Sequence, residues 1–290
     1  MMDPRQIVDQ LVNGELESFT SQEPHDVLVV CEQALGEGHF EIAQALQKSL
    51  TDAEGEFINF RKSQLDNDAE SAQIHITNSL EISRKSEQRD HLLEARIRME
   101  WGLLRATLGE HTEAGVDLKW AVDRFSALSK GHRWHGLSLL NMATWHENRG
   151  EYGMALAMHA DISRHGPHCL EIIAMSRRHA AEIFVAKGHM ASAIRNMWIA
   201  CHGFRQCDMD AEAVEAGLQW IDLGLGDVSD EAPTMDTVVE SASPRSIGEP
   251  NPRAWINPCD LQELMEWLDG NVDDEIGLEL LQEAQSVFQS

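Results

Sequence analysis

Along most of the chain apolar residues recur at offsets of three and four, with Ala, Leu, Glu and Gln between them, and they rarely alternate with polar residues. That period belongs to amphipathic helices rather than to half-buried strands. The pattern breaks at regular points. Of the 20 glycines, four are followed five residues later by alanine: Gly38 by Ala43, Gly109 by Ala114, Gly150 by Ala155 and Gly188 by Ala193, in GHFEIA, GEHTEA, GEYGMA and GHMASA. Helices are predicted before these breaks at 24–36, 95–108, 136–149 and 174–187, and after them at 40–50, 112–129, 153–165 and 191–206. A fifth joint, with Asn67 in the turn and Ala72 after it, fits helices at 53–65 and 69–87. Glycine ends a helix sharply because it adopts positive φ without steric cost, and a small alanine one turn into the next helix lets the two backbones approach.

These units resemble the tetratricopeptide repeat (TPR) family, whose unit is a helix hairpin with a turn glycine and small residues on both helices. The resemblance covers roughly residues 24–206. Trp101-Gly102, Gly109, Ala114 and Ala121 carry it in one unit, Ala143, Gly150, Tyr152 and Ala155 in the next, and Ala181, Phe184, Gly188, Ala193 and Ala200 in another. The family's first aromatic position holds Arg98, Leu139 and Arg177 here, the closing proline is absent, and joint spacings of 29, 42, 41 and 38 look like the extended, roughly 40-residue variety of the repeat. The resemblance implies an all-α, right-handed solenoid of helical hairpins.

Outside residues 24–225 the pattern changes. A short helix is expected from Asp3-Pro4 to Val12 within an N-terminal segment 1–23, whereas residues 209–223, still inside that range, read as one further helix capping the stack. Residues 226–254, with Pro233, Pro244, Pro250 and Pro252 among Gly, Ser and acidic residues, read as a flexible acidic linker. Residues 255–290 read as a helical hairpin: Asn257-Pro258 opens a helix with Leu261, Leu264, Met265 and Leu268 on one face, and Asn271 opens another with Ile276, Leu280, Ala284 and Val287 on one face. That hairpin either caps the stack or competes with a partner.

Composition narrows the function. The net charge is -26, which disfavours nucleic acid because phosphate binding needs a basic footprint. Basic residues concentrate at 84–210, with 17 Lys/Arg against 15 Asp/Glu, whereas residues 211–290 hold 2 against 18. No apolar run approaches the ~20 residues of a membrane span and no signal-like start is seen, so a cytoplasmic chain without a membrane partner is expected. Five scattered cysteines, Cys31, Cys169, Cys201, Cys207 and Cys259, read as reduced thiols.

Catalytic motifs are missing. No Gly-Lys dipeptide occurs, so a P-loop is excluded; His146-Glu147 lacks the second histidine of a zincin, and no Gly-x-Ser-x-Gly elbow is present. Nine of the 14 histidines fall between 132 and 202, in a spacing that fits no zinc pattern, so neither metal nor cofactor is expected. The expectation is a non-enzymatic scaffold or adaptor that holds another protein or peptide, with a regulatory sensor of a peptide or small ligand as the alternative. In the resembled family, ligands lie in the groove lined by the first helix of each unit. The corresponding positions are Arg96, Met99, Leu103, Leu140, Asn141, Thr144, Arg178, His179 and Glu182. Of the family's carboxylate-clamping set, only Arg96, Asn141 and Arg178 have counterparts.

Overall fold

In the computed structural model, which describes residues 3–21, 25–248 and 255–288, the chain is all-helical. Pro250, Pro252 and the opening Met-Met lie outside the described residues. The chain divides into two compact units, Met1–Leu128 and Ser129–Ser290. The first holds α1 (Pro4–Val12), α2 (Asp26–Gly36), α3 (Phe40–Gln47), α4 (Asp52–Leu65), α5 (Ala69–Lys85), α6 (His91–Thr107) and α7 (His111–Ser129, closing the unit). The second holds α8 (Arg133–Asn148), α9 (Tyr152–Asp161), α10 (Leu170–Ala186), α11 (Met190–Arg205), α12 (Asp210–Gly224), a 3₁₀ turn (Leu225–Asp227), α13 (Met235–Ser241), α14 (Pro258–Leu268) and α15 (Glu275–Val287). Helices consecutive in the chain pack against each other, α2 on α3, α4 on α5, α8 on α9 and α10 on α11, which is the arrangement of stacked helical hairpins.

The joints repeat atom for atom. Gly38, Asn67, Gly109, Gly150 and Gly188 all have positive φ, from 55° at Asn67 to 83° at Gly109. After each, the next residue's N–H donates to a carbonyl five residues back, as His39 does to Ala34, Asp68 to Ser63, Glu110 to Arg105, Glu151 to His146 and His189 to Phe184. This is the bonding that satisfies the last carbonyls of a helix turning sharply. Ala43, Ala72, Ala114, Ala155 and Ala193 are buried. A sixth joint follows the same rule without glycine: Asp208 has φ 55°, Met209 N–H donates to Phe204, and Ala213 is buried five residues on. The Cys31 thiol donates to the Ala43 carbonyl (3.3 Å) and the Cys201 thiol to that of Ala213 (3.4 Å), so two of the cysteines brace equivalent alanines.

Several helix limits differ from expectation because caps set them. Asp90 accepts from the N–H groups of Leu92 and Leu93, so α6 starts at His91 rather than 95. The α10 helix starts at Leu170, four residues early, and α9 ends at Asp161 rather than 165. The larger correction concerns the expected linker. Within it, Thr234 caps α13, Met235 and Val238 are buried, Ala242 and Ile247 are covered, and Asp260 at the start of α14 accepts from Met235 N–H (2.8 Å). Burial pushes the Asp260 carboxyl up to about 6. Its described part is a packed strap.

The C-terminal hairpin closes unit 2. Leu261, Leu264 and Leu268 of α14 join Trp220, Ile221 and Ala216 of α12 in one core, with Leu281 and Ala284 of α15. Gly277 of α15 permits the close approach: a Cβ there would come within 2.6 Å of Val272 and 3.1 Å of Leu218 on α12. Arg205 lies over the Trp267 ring at 4.6 Å. The inward face of α15 is Gly277, Leu281 and Ala284, whereas Ile276, expected inside, is 81% exposed. The reason is the start: Asp274, not Asn271, caps α15 by accepting from Gly277 N–H, which turns Ile276 outward in the first turn.

Candidate interaction faces

In unit 1 the first helices of successive hairpins carry charges that satisfy one another. Glu32 on α2 accepts from Arg61 Nε on α4 (3.2 Å) and from Arg96 Nη2 on α6, while Arg61 Nη1 donates to Glu100 on α6 (3.0 Å). Arg96 is 2% exposed and its guanidinium lies over the Phe57 ring at 5.2 Å. It is therefore an internal strut and not, as expected from its position, a groove residue facing a ligand. Met99 is likewise buried and Leu103 half-buried.

The basic stretch around residues 84–105 is internally neutralised too. Buried Glu94 lies near Arg84 (3.1 Å), Arg98 (3.5 Å) and Arg89 (3.7 Å), and Arg98 and Arg105 both donate to buried Asp117. His25, at φ 68°, joins three helix starts: Nδ1 lies 3.2 Å from Glu54 on α4 and Nε2 2.9 Å from Asp90, the α6 cap. Burial works against its charge, but the pairing with Asp90 and Glu54 wins and raises it to about 9. The same pairing, against opposing burial, holds Asp90 down to about 2.

In unit 2, α8, α10 and α12 neighbour one another through Arg133–Glu171 (2.9 Å) and Arg178–Glu215. Of the six candidate positions here, Leu140 is buried, Thr144 is exposed, and Asn141, Arg178, His179 and Glu182 are half-buried. Arg178 Nε donates to Glu182 (3.3 Å) and its other end is held by Glu215, so the counterpart of a clamp arginine is already engaged. Burial, reinforced by Glu182 and opposed by His179, raises the Glu147 carboxyl beside them.

The interior of unit 2 holds a second polar constellation that sequence reasoning missed. Arg177 on α10, 0% exposed, donates from Nη2 to the carbonyls of Ile162 (2.7 Å) and Pro244 (3.4 Å). Arg164 donates from Nη2 to Val239 O (2.7 Å) and Ala242 O (2.9 Å), and from its backbone N–H to Pro244 O (3.0 Å). Asn196 on α11 donates to Ile247 O (3.0 Å). The early end of α9 leaves the room in which the strap lies. Burial, with Arg164 and Arg195 nearby, pulls the Arg177 guanidinium down to about 10. The available signal was Arg177 at a position where the resembled repeat prefers an aromatic.

Histidines fill the rest of this interior in neutral form. His168 Nε2 lies 3.0 Å from His135 Nδ1, which also accepts from Gly131 N–H (3.2 Å); burial, His168 and Lys130 lower His135 to about 4. His159 Nδ1 lies 3.2 Å from Ser176 Oγ, and burial with His179 and Arg177 lowers it to about 3. Among the described residues no group of three or more His, Cys, Asp or Glu side chains is placed to hold a metal ion. None of their helices is long and apolar enough to cross a membrane. In comparisons with known proteins, no family model matches the chain and no curated protein matches it.

Proposed function

We propose that the chain is a protein-binding scaffold or adaptor of the TPR type, which holds a segment of another protein against the first helices of unit 2. The observation that carries this reading is the row of half-buried and exposed polar side chains Asn141, Thr144, His179 and Glu182 on α8 and α10. Their helices pack their apolar residues elsewhere, Ala143 and Ile183 with Ala155 of α9, and Ala180 and Phe184 with Ala193 of α11, so the row is not needed for the core. A surface of fixed, directional polar groups on rigid helices is what recognition of a peptide backbone and its side chains requires. The test is co-purification of the full chain, with mass spectrometry of what it retains, against the variant Asn141→Ala, His179→Ala, Glu182→Ala. Loss of a specific partner at unchanged melting temperature supports the face; an identical set of retained proteins overturns it.

A further inference from the structure

Residues 239–247 are held through their backbone. The acceptors are the carbonyls of Val239, Ala242, Pro244 and Ile247, and the donors are the side chains of Arg164, Arg177 and Asn196 with the Arg164 amide. Recognition of this kind does not depend on which side chains the held segment carries. One side chain is read as well: Ile247 enters a pocket of Ala180, Phe184, Ala193, Leu156 and Leu223.

The charge is unbalanced. Among the described residues Arg164 and Arg177 donate only to carbonyl oxygens, and Nε and Nη1 of the fully buried Arg177 make no hydrogen bond. A neutral carbonyl offers a guanidinium only a partial charge, whereas a carboxylate offers a full one and can accept two parallel hydrogen bonds from it. The strap's own carboxylate in this stretch, Glu240, is exposed. The cleft therefore holds a neutral segment where its chemistry favours an acidic one.

We propose that the cleft formed by the end of α9, α10 and α11 is a second peptide-binding site, occupied in cis by the chain's own residues 239–247, which an acidic segment of a partner protein displaces. The site is separate from the polar row on α8 and α10, and neither proposal depends on the other. The strap competes at a local concentration on the order of millimolar, so the cleft opens only to a partner with the added carboxylate.

The test uses the full chain and a synthetic peptide spanning residues 235–248 with the substitution Ala242→Asp, which puts a carboxylate at a buried position whose own carbonyl Arg164 holds. Hydrogen exchange is followed at roughly millimolar peptide, matching the strap's own effective concentration. Amides of residues 235–248 in the chain are expected to lose protection while α10 and α11 keep theirs; unchanged protection of the strap overturns the proposal. In a second arm Ile247→Ser loosens the strap by emptying its apolar pocket without adding charge. This variant is expected to bind the labelled peptide about tenfold tighter than wild type, because the competent fraction rises, and Arg164→Gln in the same background removes the gain. Equal binding by wild type and Ile247→Ser also overturns it. If Ile247→Ser melts, the exchange experiment on the unmodified chain decides. Substitutions at Asn141, His179 and Glu182 are expected to leave peptide binding unchanged, which separates this result from the first-helix reading.

Discussion

Arg98 in unit 1 and Arg177 in unit 2 stand eleven residues before their turn glycines, Gly109 and Gly188, at equivalent positions of their hairpins. Arg98 donates to Asp117 and stacks on Trp120 at 4.3 Å, and Glu94 lies beside it. Arg177 meets backbone carbonyls, with neutral His159 close enough to feel its charge. The same contrast runs through the units. Unit 1 pairs its buried and half-buried charges in opposite-sign groups, Glu32–Arg61–Glu100, His25 with Glu54 and Asp90, and Glu94 and Asp117 among arginines. Unit 2 covers buried Arg177 and half-buried Arg164 with a strap and keeps buried His135 and His159 uncharged. One backbone plan thus supports two solutions to buried charge. Desolvated charge is stable when a partner ion sits in contact with it and costly otherwise, which is why the second site proposed above lies in unit 2.

The shared half of this comparison is the joint, and overpacking it tests that half most severely. Ala114→Leu in unit 1 and Ala193→Leu in unit 2 are both expected to destabilise by up to about 3 kcal/mol in denaturant melts, because three heavy atoms enter a filled helix crossing. A large loss in one unit only would show that the joints are not equivalent. Glu94→Ala strikes the half that differs. A loss of about 2 kcal/mol is expected from stranding the arginines around a buried carboxylate, reduced from a fully buried pair because Arg84 and Arg89 reach solvent. Gly109→Ala is milder: at φ 83° with open space around a new Cβ, only backbone strain of about 1 kcal/mol is expected.

Stability against pH separates the units by sign. His25 is raised to about 9, so its contribution is complete below the unfolded value near 6.5 and is lost as pH rises through about 9; His25→Gln should flatten that alkaline loss. His159 and His135 are lowered to about 3 and about 4, so their contribution is present above about 6.5 and is lost as pH falls toward those values. His159→Asn should flatten part of the acid loss. Thermal melts between pH 4 and pH 10 check both, and matching alkaline profiles of wild type and His25→Gln would break the comparison on the unit 1 side.

What was legible in the chain follows from how local each cause is. Positive φ at Gly38, Gly109, Gly150 and Gly188 and the buried alanines after them depend on a handful of consecutive residues, and pattern alone located them. Asp208 performs the same turn, but a rule keyed on glycine passes over it, although Asp is among the few other residues that tolerate this conformation. Long-range pairing was not legible. Arg96 looked like a ligand-facing residue because nothing near it announces Glu32, 64 positions away. The strap looked like a linker because Pro, Gly and Ser mark loops, while the groups that hold Ala242 and Pro244 lie 67 to 80 residues back in the chain. Asn141, Thr144, His179 and Glu182 are half-buried or exposed on α8 and α10.

The contrast between the units rests on the charge of their buried histidines, and an NMR titration of the histidine ring protons, assigned with His→Gln variants, measures it directly. His25 is expected to stay charged up to about 9 and His159 to stay neutral down to about 3. Both titrating near the unperturbed value of about 6.5 would contradict the account, because His25 would then lack its pairing with Asp90 and Glu54 and His159 its desolvated, neutral site.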